Sequence, residues 1–250
     1  MAISLSPTSG TTAGGTAVTI TGTGGSLVTT SSVKFGLANA TIVGTPTATT
    51  VNVTSPAGSG VTPVTVTTAG GTSAPANYFY LPQPIKTGIS PSSGPAAGGT
   101  TVTITGQNLS GATAVNFGAT AGTITASTAG SVTVTSPAGT GTVAVTVTTS
   151  GGTVDGAFFT YCAVPTVTAP TTATPATGPE EGGNAIAITG TNLIGTTSVS
   201  VDDVPAPFVV ISDTEVDTIV PSGTGTVDVE VTTCGGAVTV TGGYDYIAAP

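Results

Sequence analysis

The sequence contains no histidine and no tryptophan, and its only cations are Lys34 and Lys86. Without an imidazole, no side chain titrates near neutrality to serve as a general base, which argues against Ser-His or Cys-His nucleophilic chemistry. Two lysines cannot neutralise a phosphate backbone, so nucleic acid is not an expected partner. Charged residues make up 5% of the chain and aromatic residues 4%, which leaves few carboxylate pairs and few rings for sugar stacking. No run of 18 apolar residues occurs, so membrane insertion is not expected either. The segment Met1-Ala2-Ile3-Ser4-Leu5-Ser6-Pro7 lacks the basic and apolar regions of a secretory signal.

What is present is mostly threonine, glycine and valine. The 250 residues include 57 threonines, 37 glycines and 18 prolines. β-Branched side chains fit a pleated surface, and Gly and Pro interrupt helices, so many short strands joined by tight turns are predicted. The charge is unevenly placed. Residues 1–84 carry only Lys34, residues 85–161 carry Lys86 and Asp155, and residues 162–250 carry ten acids and no base. An acidic end beside two nearly uncharged thirds suits a secreted, fibrous or assembled protein whose solubility rests on hydroxyls.

A threefold repeat organises the chain. Leu5-Ser6-Pro7 recurs as Ile89-Ser90-Pro91 and Ala173-Thr174-Pro175, and Gly14-Gly15 recurs as Gly98-Gly99 and Gly182-Gly183. Val18-Thr19-Ile20-Thr21-Gly22 is matched by Val102 to Gly106 and Ile186 to Gly190, and each repeat closes on Tyr80, Tyr161 or Tyr246. Apolar residues alternate over short runs: Val18 and Ile20, Val33 and Phe35, Val51 and Val53, Val64 and Val66, and Tyr78 and Tyr80 supply the inward pairs of the first repeat. The Gly-Gly pairs at 70–71, 151–152 and 235–236 allow positive φ at the hairpin between the last two strands. Six or seven strands in about 80 residues predict a two-sheet antiparallel sandwich of immunoglobulin type.

The fold class is therefore all-β. Three tandem sandwiches are expected at residues 1–84, 85–162 and 163–250, the last being the acidic one. Short Pro-bearing linkers, Leu81 to Pro84 and Ala163 to Pro165, should stack them end to end into an elongated rod about 110 Å long.

The order Ile89-Ser90-Pro91, Gly94-Pro95, Gly98-Gly99, Val102 to Gly106, Asn108-Leu109, Val115 to Gly118, Ser136-Pro137, Gly151-Gly152 and Phe159-Thr160-Tyr161 resembles the IPT/TIG domain. That module is the immunoglobulin-like unit shared by plexins, some transcription factors and bacterial or phage surface proteins. The resemblance implies the fold and no shared catalytic site. Its DNA-binding members use basic loops, which this chain lacks.

Asp202, Asp203, Asp213, Glu215 and Asp217 are the only dense oxygen ligands and are the weak candidates for Ca²⁺, which takes six to eight oxygens. The competing reading is a solvated strand face on which Glu215 and Asp217 flank an inward Val216, with no EF-hand loop present. Glu180-Glu181 reads as loop solvation. No catalytic and no cofactor-binding residue is assigned, and no cofactor is expected. Cys162 follows Tyr161 in the second linker, while Cys234 takes the slot of Ala69 and Ser150 at the last hairpin. That hairpin should lie at the pole where the chain enters, so the topology predicts a disulfide Cys162–Cys234.

These features point to a non-enzymatic structural or adhesive protein of a cell surface, fibre or virus particle, extracellular or particle-bound, with protein partners or self-assembly. The alternative is a receptor module that binds surface glycans or a protein through loops at one pole.

Overall fold

A computed structural model describes residues 1–167, 173–174 and 176–248. Among them there is no helix, and the chain forms six sheets, two for each repeat. In the first repeat one sheet runs Ala2–Ser6, Ala17–Thr23, Thr50–Thr54, Thr41–Val43. The facing sheet runs Ser9–Thr11, Ala76–Leu81, Gly60–Thr68, Ser32–Phe35, Ala38–Asn39. The second and third repeats reproduce this order, with Thr101–Gln107 and Ala185–Thr191 in the place of Ala17–Thr23.

Alternation along each strand decides what faces inward. Along Ala17–Thr23, Val18, Ile20 and Gly22 are buried while Ala17, Thr19, Thr21 and Thr23 are exposed. The inward pairs meet as one hydrophobic core per repeat, and the three cores are separate clusters. In the second repeat Ile104 lies between Ile89 and Val132 on neighbouring strands and is completely buried. Aromatic rings close each core edge to face: Phe35 with Tyr78 at 5.0 Å and Phe117 with Phe159 at 5.2 Å between centroids. In the third repeat Val201 stands where Phe35 and Phe117 stand in the others, and the ring pair common to all three repeats, Tyr78–Tyr80, Phe159–Tyr161 and Tyr244–Tyr246, packs there without that third ring. The accessible surface is 11720 Å², against about 9,800 Å² for one compact body of this mass.

One pairing in each repeat is parallel, which alternation alone did not predict. Ser9–Thr11 runs parallel to Ala76–Leu81, Ser93–Pro95 to Gly152–Cys162, and Thr177–Pro179 to Gly236–Ile247. Proline has no N–H to donate, so the first strand's ladder stops at Pro7 and Pro91 and the chain crosses to the other sheet. The first and last strands of a repeat thus point the same way, and the chain enters at one pole and leaves at the other.

The glycine pairs divide into two jobs. Gly14-Gly15, Gly98-Gly99 and Gly182-Gly183 are all left-handed, with φ between 68° and 86°, a run of two that other residues adopt only with strain. At the last hairpin only the second glycine is left-handed: Gly71, Gly152 and Gly236 have φ of 111°, 128° and 123°. The positive φ expected at this hairpin is thus carried by one glycine of each pair. The first glycine is needed for lack of a side chain, because a Cβ on Gly151 would overlap the Pro82 carbonyl and one on Gly235 the Ala163 carbonyl. The third repeat's opening motif falls partly outside the described residues, which omit Pro175; Ala173–Thr174 pairs with Ile188 and Ala187.

Candidate functional site

The junctions between repeats are built twice by the same parts. At the first, Asn108 is left-handed at φ 58° and its Nδ2 donates to the Gln83 carbonyl at 3.0 Å. At the second, Asn192 at φ 60° donates to the Val164 carbonyl at 2.9 Å. Asparagine tolerates the left-handed region, so one residue both turns the chain and grips the linker. Gly106 and Gly190 leave room for the Ile85 and Thr166 carbonyls. In the sequence Asn108 stands out only within the order that resembles the IPT/TIG domain. Its role shows in the pairing of position with structure, because the first repeat has Gly24 in that slot.

The covalent difference between the two junctions lies at one pair. A cleft lined by Leu81, Pro82, Asn108, Ser150 and Gly151 opens at the first. The equivalent cleft at the second is lined by Cys162, Ala163, Asn192, Ile194, Asp213 and Cys234. Cys162 and Cys234 take the slots of Leu81 and Ser150 and form a disulfide across 72 residues, with their Cα atoms 5.7 Å apart. The hairpin bearing Cys234 thus lies at the pole of chain entry.

The acidic candidates separate into two groups on opposite sheets. Asp202 and Asp203, at φ 53° and 60°, are the two central residues of the tight hairpin joining Thr196–Val201 to Val204–Ala206. Both positions of such a turn need positive φ, which Asp tolerates, and this accounts for the pair structurally. Beside them lie Asp228 and Glu230 on Thr226–Thr233, which complete a concave acidic surface with Ser200 and Thr239. Asp228 accepts from the Gly242 N–H at 2.8 Å, and Glu230 accepts from Thr239 Oγ1 at 3.1 Å. Those two acids were not singled out from the sequence. The alternation Val227-Asp228-Val229-Glu230-Val231 places both on one outward face and was the available signal.

On the other sheet, Asp213 Oδ1 accepts from the Ile194 N–H at 3.4 Å in the turn before Glu215–Ile219. Val216 points into the core as expected, but Glu215 and Asp217 are half-buried. Asp217 sits between Ala187 and Val209 on the neighbouring strands, and its Oδ1 is buried without a hydrogen-bond partner. The freely solvated face expected for it is thus corrected: Phe208–Ser212 lies alongside, and with Pro207, Phe208 and Ile219 forms an apolar cleft around the carboxylate. Among the described residues, no three of His, Cys, Asp or Glu are grouped as a metal site. Adding calcium at about 1 mM, or removing it with a chelator, should leave the third repeat's melting temperature unchanged. A saturable rise on calcium addition, lost in Asp202→Asn or Asp203→Asn, would reinstate the metal site.

Lys86 has a structural role that sequence reasoning did not assign. Its ammonium donates to the Val145 carbonyl of the facing sheet, where pairing with the last strand shifts register around Asp155 and Gly156. Burial lowers the Lys86 pKa, and Asp155 opposes that shift. Folded Lys86 releases its proton below 10.5, the value the unfolded chain keeps, so between the two the unfolded state binds more protons and stability rises with pH. Burial raises the Tyr161 pKa above 10.0, which works in the opposite sense at higher pH. The second repeat's denaturation midpoint should therefore rise with pH below 10.5, and Lys86→Met should flatten the rise.

Three closed immunoglobulin-like sandwiches joined pole to pole define a tandem module protein. The IPT/TIG domain model matches residues 3–80, 84–161 and 169–246, and the chain belongs to that family. No curated protein matches the sequence. Among solved structures, the chain is similar to the extracellular region of plexin A4, at 22% identity and a TM-score of 0.45 over 88% of this chain and 20% of that one. It is also similar to SGBP-B from a complex xyloglucan utilization locus in Bacteroides uniformis, at 19% identity and a TM-score of 0.34 over 93% of this chain and 65% of that one. Against invasin, a bacterial integrin-binding protein, the figures are 14% and 0.25 over 99% and 60%. The chain spans less than two thirds of each of these three proteins.

Proposed function

We propose that this protein is a non-enzymatic structural or adhesive rod, part of a cell-surface, fibre or virus-particle assembly outside the reducing cytosol. The observation that carries it is the series of three separate cores, each entered at one pole and left at the other, with the linker of each junction gripped by Asn108 or Asn192. Such a chain holds its two ends apart. The division at residues 1–84, 85–162 and 163–250 puts the disulfide across the second boundary, and a bridge of this kind persists in an oxidising compartment. The lack of histidine and the two lysines favour a structural over a catalytic role. Protein partners or other copies of this chain are the partners proposed.

Small-angle scattering tests the rod. A radius of gyration on the order of 30 Å is expected for a body about 110 Å long, against about 18 Å for a compact chain of this length, which would overturn it. Saturable glycan binding abolished by substitutions in the pole loops would replace the structural reading with that of a receptor module.

A further inference from the structure

Tension applied to the two ends of the chain does not pass through the three repeats in the same way. In the first repeat, Ser9, Gly10 and Thr11 pair in parallel with Phe79, Tyr80 and Leu81. Pulling the ends apart drags these strands past each other, so their hydrogen bonds carry the load side by side in shear. The second repeat has the same arrangement, with Ser93–Pro95 against Gly152–Cys162. When these contacts fail, the chain between them is released.

The third repeat has the same parallel pair, Thr177–Pro179 against Gly236–Ile247, but the force does not reach it in that way. The chain leaves the second repeat at Cys162, which is bonded to Cys234, two residues before the last strand begins. Force therefore crosses the sulfur bridge and runs straight along Gly236–Ile247 to the far pole. That strand has 12 residues and spans about 40 Å fully extended, the length of the module, so it has almost no slack. Straightening the irregularity between Val240 and Tyr244, where the pairing shifts register, yields only a few ångströms. Residues 163–233 hang from the loaded path as a closed loop.

We propose that the Cys162–Cys234 disulfide is a force bypass: under tension the first two repeats bear load and unfold, whereas the third stays folded and keeps its acidic surface formed. The inference gives the rod reading a mechanical form. Its test does not depend on that reading, because a wrong step count would leave the scattering result untouched, and a compact scattering result would leave the step count untouched.

The experiment is constant-force extension of the full oxidised chain, held at residues 1 and 250 through enzymatically ligated peptide handles that avoid thiol chemistry. Two steps are expected, each lengthening the chain by about 240 Å, from about 78 residues at 3.6 Å each less the folded span. Dithiothreitol is then added. It becomes a cyclic disulfide, and its two electrons and two protons convert the bridge into two cysteine thiols. A third step is expected, of about 260 Å for the 72 residues freed, at a rate that rises with dithiothreitol concentration. The variant Cys162→Ser with Cys234→Ser should give three steps without reductant. If its third repeat does not fold, it should give two steps from a start about 260 Å longer. A third step in the oxidised chain, no third step after the thiols are freed, or an oxidised-like trace from the variant would each overturn the bypass.

Discussion

Replacing Ile104 by alanine should lower the melting temperature of the second repeat by about 10 to 30 °C and leave the other two transitions in place. Ile104 is completely buried and packs among Val102, Val132 and Val134 within the second core alone. Removing its methylenes loses transfer free energy and leaves a cavity, costing about 2 to 5 kcal/mol. A module of about 80 residues is stabilised by about 4 to 12 kcal/mol, so the loss is a large share of the total. Each kcal/mol moves the midpoint of a domain this size by about 4 to 8 °C. Scanning calorimetry resolves the outcome. If all three transitions fall together, the repeats fold as one cooperative unit and the separation of their cores has no thermodynamic counterpart.

Removing the bridge with Cys162→Ser and Cys234→Ser should destabilise the third repeat by about 2 to 4 kcal/mol while sparing the first two. The bond closes a loop of 72 residues, and without it the unfolded chain recovers that freedom. In calorimetry or urea titration only the transition of the acidic module should move. The first junction is the internal comparison: Leu81 and Ser150 occupy the same slots there without a covalent link, and the linker is held by Asn108 and by the fit of Gly151 to Pro82. An unchanged third transition would mean that Asn192 and Gly235 already fix the linker without the bond.

The junction also shows how unevenly the site could be read. Cys162 and Cys234 were legible because the repeat gives each cysteine a structural address, one after the closing tyrosine and one at the last hairpin, and strand direction brings those addresses to one pole. Gly151 and Gly235 were visible as hairpin glycines, but their second role was not. A sequence cannot show that a preceding linker's carbonyl will sit where a Cβ would have been. Ser55 and Ser136 are similar cases. In the sequence they have no role beyond their place before a proline, yet each is buried and accepts a backbone N–H, from Thr16 and Thr100, and Val220 fills that place in the third repeat.

By itself the sequence determined the repeat, the all-β class, the inward pairs of the main core strands and the uneven charge. Each of these is a local pattern with a short period, repeated three times in one chain. Only the tertiary structure decided which strands pair in parallel, that Lys86 reaches across the sandwich to Val145, and that Asp202 and Asp203 share a concave face with Asp228 and Glu230 while Asp217 turns into an apolar cleft on the other sheet. Those outcomes depend on which sheet each strand joins and on the register of strands distant in sequence. Alternation fixes the face a side chain takes, but it carries no information about the neighbour across the sheet.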